Sequence, residues 1–127
     1  MADLGYRSVE IHVVNNTKAD LSVQSAATIG PSSAWISGEQ ADSGQVVKQW
    51  GTVRWGVFTH SGADAPSATI SLVGLGNEAI QINLINQPDG TSPVTANSND
   101  EVQSSIVQMD SGEDSHTMWK VALSPPS

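Results

Sequence analysis

Val53-Arg54-Trp55-Gly56-Val57-Phe58 is the stretch that decides the fold. Side chains alternate along an extended chain, so Val53, Trp55 and Val57 share one face and Arg54, Gly56 and Phe58 the other. Each face carries an aromatic ring, which marks a strand with neighbours on both sides. Gly56 inside the run predicts a bulge or a place where another chain comes close.

The same period of two recurs on either side. Val9, Ile11 and Val13 alternate with Glu10 and His12, and after Asn15, Asn16 and Thr17 the alternation resumes at Leu21 and Val23. These two segments are expected to pair as a hairpin. Trp35 and Ile36 form a short segment after Gly30 and Pro31, and Gln45 to Trp50 reads as an edge strand. Downstream, Ala68, Ile70 and Leu72 form one strand and Ile80, Ile82 and Leu84 the next, with Gly74, Gly76 and Asn77 turning between them. Thr91 to Asn99 reads as an exposed loop. Ser105, Val107 and Met109, then Trp119, Val121 and Leu123, make the last two strands around an acidic loop from Asp110 to His116.

Eight or nine short strands at about ten-residue spacing, with no helical period, are the signature of an all-β antiparallel sandwich or barrel, and a single antiparallel β-sandwich is the fold expected. No composition shift or repeat divides the chain, so residues 1–127 are read as one domain. The 38% hydrophobic and 14% charged shares leave a surface rich in Ser, Thr, Asn and Gln, which suits sheets and turns. With no cysteine, neither disulfides nor thiol chemistry is available, and the core must hold the fold alone.

Thirteen carboxylates against five Lys and Arg give a formal charge of −8, which repels nucleic acid and anionic bilayers. A neutral lipid or sterol surface stays open to aromatic rings and hydrogen bonds. Met1 to Tyr6 has no basic region followed by an apolar run, and no apolar stretch approaches the ~20 residues of a membrane span. The expectation is synthesis in the cytoplasm without a signal peptide, and action after release.

His12, His60 and His116 lack the spacing of a zinc protease or a nucleophile triad. His60 beside Ser61 and Asp64 is a base next to a nucleophile on paper, but a polar loop of this composition is an ordinary connection. Asp110, Glu113, Asp114 and His116 offer cation ligands within seven residues, in a spacing that matches no defined loop, and read as a solvated turn. No enzyme activity, metal or cofactor is expected. Asn15, Asn16 and Thr17 spell a glycosylation acceptor and read here as a turn.

Tryptophan is the unusual residue: Trp35, Trp50, Trp55 and Trp119 stand beside one Tyr and one Phe. Trp55 and Trp119 alternate with aliphatic neighbours, a core pattern. For Trp35 and Trp50, next to polar loops, core and binding-surface readings both stand. All four, with His60, are the candidates for a ligand- or membrane-binding surface.

The opening strand and turn, Arg7 through Thr17 followed by Leu21, resembles the start of the aegerolysins, small acidic β-sandwich proteins of fungi and bacteria. Gly56-Val57-Phe58, leading through a glycine-containing loop to Ala68, Ile70 and Leu72, is similar to the central hairpin of that family. Asn86-Gln87-Pro88-Asp89-Gly90 is similar to the loop after its following strand. The chain departs from the family at Ser61 to Pro66, which replaces a Gly-Thr-Glu-Gly type turn, and at Asn83 to Gln87, where a tryptophan-rich segment is reduced. The resemblance implies recognition of a membrane lipid or cell-surface receptor and recruitment of a larger pore-forming partner. Bacterial members act as one component of binary insecticidal toxins. The partner would supply the membrane-crossing strands, and self-association of this chain stays open. The competing readings are a carbohydrate-binding lectin of similar sandwich form and a structural or inhibitory interaction protein.

Overall fold

In the computed structural model the described residues are 7–30, 32–60, 64–87, 94–113, with backbone alone for 110–113, and 115–125. Among them are ten strands: β1 Arg7–Asn15, β2 Leu21–Thr28, β3 Ala34–Trp35, β4 Val46–Val47, β5 Thr52–Thr59, β6 Ser67–Val73, β7 Ile80–Ile85, β8 Thr95–Ala96, β9 Gln103–Glu113 and β10 His116–Ser124. Two five-stranded sheets, ordered β3-β5-β1-β10-β9 and β4-β2-β6-β7-β8, face each other as a sandwich. The expected eight or nine strands become ten because β8, a two-residue pairing inside the stretch Thr91 to Asn99 read as an exposed loop, is too short to show a period, whereas β3 and β4 fall on the expected short segment at Trp35 and the expected edge strand.

The first sheet is mixed. β1 and β10 run parallel, Ser8 opposite His116 through Asn15 opposite Leu123, while every other pair is antiparallel. A fully antiparallel sandwich is therefore corrected at one central junction. Parallel strands demand a long crossover, and here nearly the whole chain supplies it.

β1 and β2 do not form the expected hairpin. They lie in different sheets, and the chain between them arches across the sandwich. The arch is built by Asn15, whose side chain is fully buried. Its Nδ2 donates to the Ala19 carbonyl at 2.9 Å and to the Val47 carbonyl at 2.8 Å. Its Oδ1 accepts the Thr17 amide at 3.0 Å and the Thr17 hydroxyl at 2.6 Å. A side chain that satisfies local backbone groups this way replaces the ladder a hairpin would need. The same burial leaves the Asn15 amide closed to a glycosylating enzyme in the folded chain.

Val9, Ile11 and Val13 of β1, Trp55 and Val57 of β5, and Val121 and Leu123 of β10 form one wall of the core. Leu21, Val23, Ile70, Leu72, Ile82 and Leu84 form the other, and each of these residues is at most 2% exposed. Full burial of one such aliphatic side chain contributes roughly 1.5–3 kcal/mol. β9 is one residue out of the expected phase, with Ile106 packed against the core and Val107, opposite Lys120, 58% exposed, whereas β10 keeps Trp119, Val121 and Leu123 on the core side as expected.

Candidate functional site

The register places the tryptophans. Trp55 and Trp119 flank Ile11 on neighbouring strands, so the three form a row across the inner face of the first sheet. Trp55 is fully buried and its indole N–H donates to Gln45 Oε1 at 3.1 Å, tying β5 to the segment before β4. Trp119 is half-buried and packs against the same core, and Trp35, opposite Val57, does likewise from the β3 edge. Trp55 is thus a core residue and presents no surface to a ligand.

Trp50 is different. It is 70% exposed at the end of the sandwich where β1 stops and β5 begins. The turn that carries it is closed by Gly51 N–H to the Lys48 carbonyl at 2.8 Å. Trp50 N–H donates to the Asn15 carbonyl at 2.7 Å, Asn15 N–H donates to the Gly51 carbonyl at 2.9 Å, and Gln49 N–H donates to Asp20 Oδ1 at 2.8 Å. Within this frame Trp50 has φ of 67°, and it is the one non-glycine residue with positive φ among the described residues. The third position of such a turn favours glycine or asparagine, and a side chain with a Cβ costs about 1–2 kcal/mol there. The ring is held against that cost and stands in solvent.

The same tip gathers the β1–β2 arch, the β6–β7 connection and the β8–β9 connection. Asn99 Nδ2 donates to the Leu75 carbonyl at 3.0 Å, and Asn77 N–H to Asp100 Oδ1 at 2.8 Å, which binds the last two together. Lys18 pairs with Glu101 at 3.0 Å beside a cleft of about 120 Å³ lined by these residues with Leu75, Asp100 and Pro125. Ligand pockets that enclose a small molecule run to roughly 300–1,000 Å³, larger than this cleft. Val46, 50% exposed on β4, belongs to the same segment as Trp50.

His60 lies at the opposite end of β5, exposed, with its ring edge-on to Phe58 at 4.9 Å. It therefore does not join Trp50, and the five candidate residues do not converge. Ser61 lies outside the described residues, as do Asp114 and the side chains of Asp110 and Glu113. A Ser–His contact that the sequence does not flag joins Ser8 Oγ to His116 Nδ1 at 2.8 Å. Ser8 is 1% exposed, so this bond fastens β1 to β10 and its hydroxyl is shielded from any substrate. Among the described residues no group of three His, Asp or Glu side chains could hold a metal ion.

A second polar cluster, also unflagged, lies on the outer face of the first sheet. Glu10 and His12 of β1 stand opposite Gly56 and Arg54 of β5, and the segment after β3 lays Glu39 over Gly56. Glu39 is 5% exposed, and its carboxyl is pushed up to about 7 by burial first and by the charge of Glu10 second, against the opposing pull of Arg54. Burial and then Arg54 lower the His12 imidazole, with Glu10 opposing them. The signal available in the sequence was the pair Glu10 and His12 on one strand face, read there as a plain solvent-facing alternation.

No protein-family model and no curated relative matches the sequence. The fold is similar to a solved structure, IP-1A from Alcaligenes faecalis, with a TM-score of 0.61, 98% of this chain and 95% of that chain covered, and 10% sequence identity. The chain is a two-sheet β-sandwich. That fold it shares with IP-1A from end to end.

Proposed function

We propose that the protein is a membrane-binding component of a pore-forming toxin, one that docks on a lipid or receptor at a target-cell surface and leaves perforation to a larger partner. The exposed Trp50, fixed on a strained and multiply tethered turn at the sandwich tip, carries the proposal. An indole ring favours the boundary between headgroups and hydrocarbon, and a rigid turn presents it at little conformational cost. The likeness of Arg7 through Thr17 to the aegerolysins, the acidity of the chain and its whole-length likeness to IP-1A support the same reading. On it, the chain acts after release from the cell that makes it, and its binary insecticidal use belongs to the same proposal.

The test is a vesicle panel that includes sterol and sphingolipid mixtures, run beside a glycan array. Sedimentation with at least one vesicle composition is the expected result. Glycan binding with no sedimentation on any vesicle would replace the proposal with a lectin, because the same ring can stack on a sugar face.

A further inference from the structure

Residues 36–41 run along the outer edge of β5 and bend back over the sheet. Ile36 N–H donates to the Gly56 carbonyl at 2.9 Å, Gly56 N–H donates to the Glu39 carbonyl at 3.1 Å, and Glu39 N–H donates to the Ile36 carbonyl at 2.8 Å. Ile36 is fully buried and Ala41 is 3% exposed, so the segment packs as firmly as a strand although it has no strand period. The seat of Glu39 exists because residue 56 lacks a side chain. A Cβ there would lie 2.8 Å from Ile36 Cδ1, 2.9 Å from Glu39 Oε1 and 3.0 Å from Glu10 Cγ.

The seat is electrostatically unusual. Two carboxylates, Glu39 and the 6% exposed Glu10, share it, and Glu39 Oε1 is buried with no hydrogen-bond partner. The other charged or titratable groups facing it are Arg54 of β5 and His12 of β1, with Lys120 of β10 beyond His12. His12 Nε2 is likewise buried and without a partner. A buried carboxylate beside a second one is stabilised by keeping a proton. Ionised, it stands against the charge of Glu10, which Arg54 offsets only in part, in a site largely closed to solvent.

We infer that the 36–41 segment is a proton-dependent latch: a proton on Glu39 holds it against β5 over Gly56, and loss of that proton releases it. Release frees the Gly56 backbone groups on the sheet edge and loosens Trp35, one residue before the latch. The carboxyl, pushed up to about 7, makes the working range mildly acidic to mildly alkaline. The latch is separate from the membrane reading, since it rests on the middle of β1 and β5 at Glu10 and Gly56 and not on the Trp50 turn.

Amide hydrogen exchange tests it, with protection factors corrected for the intrinsic pH dependence of exchange. Between pH 5.5 and 8.5 the latch amides of Ile36, Glu39 and Gly56 should lose protection about 30-fold, from linkage between the docked and free carboxyl. The amides of Ile70 and Ile82 in the other sheet serve as controls and should hold theirs. Glu39→Gln, a neutral side chain of the same shape, should keep the latch protected across the range, and Glu10→Gln should shrink the wild-type loss. A wild-type loss under threefold would overturn the latch, as would a Glu39→Gln chain that loses protection as steeply as wild type. An undiminished loss in Glu10→Gln would overturn the carboxylate pair as its cause. The wild-type series decides even where a variant fails to fold.

Discussion

Asn15→Ala is the perturbation that reaches furthest into this fold. The buried side chain makes four hydrogen bonds, to the carbonyls of Ala19 and Val47 and from the amide and hydroxyl of Thr17. Each contributes about 1 kcal/mol, and a buried group left unpaired costs about 1–3 kcal/mol. Water can reach some of the freed groups, but Val47 is 2% exposed. The expected loss is about 3–5 kcal/mol, a large fraction of the roughly 5–15 kcal/mol that a domain has in hand. In heat it corresponds to a fall in Tm of roughly 10–20 °C for a chain of this size. Urea unfolding followed by tryptophan fluorescence and circular dichroism measures the difference, with Thr17→Val as a milder companion at about 1–2 kcal/mol. An Asn15→Ala chain within 1 kcal/mol of wild type would refute the view that this side chain builds the arch.

Trp55→Ala should cost about 3–5 kcal/mol, since it empties the core and strands Gln45, whereas Trp50→Ala should stay within about 0.5 kcal/mol of wild type in the same urea assay. Trp50→Gly should be about 1 kcal/mol more stable than Trp50→Ala, because glycine accepts the φ of 67° without strain. Gly56→Ala should destabilise by about 1–3 kcal/mol in thermal melts, the new methyl meeting Ile36 and Glu39 at under 3 Å. Glu39, raised from 4.5 to about 7, contributes stability that is complete below pH 4.5 and is lost as pH rises to 7, about 3 kcal/mol in all. The lowered His12 acts in the opposite sense, losing its contribution as pH falls below 6.5, so the difference between wild type and Glu39→Gln isolates the Glu39 part.

The period of two located β1, β5, β6, β7 and β10, because each keeps one face in the core without interruption. Gly56 was legible as a bulge or a close approach; the register is unbroken there, and the segment against it is 36–41 of the same chain. Topology was not legible at Asn15-Asn16-Thr17: turn chemistry is the same whether the chain folds back within a sheet or arches to the other. β9 was misphased because Val107 and Ile106 are equally apolar, and only the register against Val121 and Lys120 tells which faces in. Of the candidate tryptophans the sheet covers Trp55 fully and leaves Trp50 out, a difference that indole chemistry alone does not tell. Glu10 and Glu39 were invisible as a pair because they meet only through the folding of 36–41 across β5.

The most direct measurement of the central claim is retention of wild type and Trp50→Ala on vesicles containing sterol and sphingolipid. Wild type should be retained, and Trp50→Ala, equally stable, should bind about tenfold more weakly, equivalent to about 1.4 kcal/mol. Equal retention of the two proteins would contradict the claim.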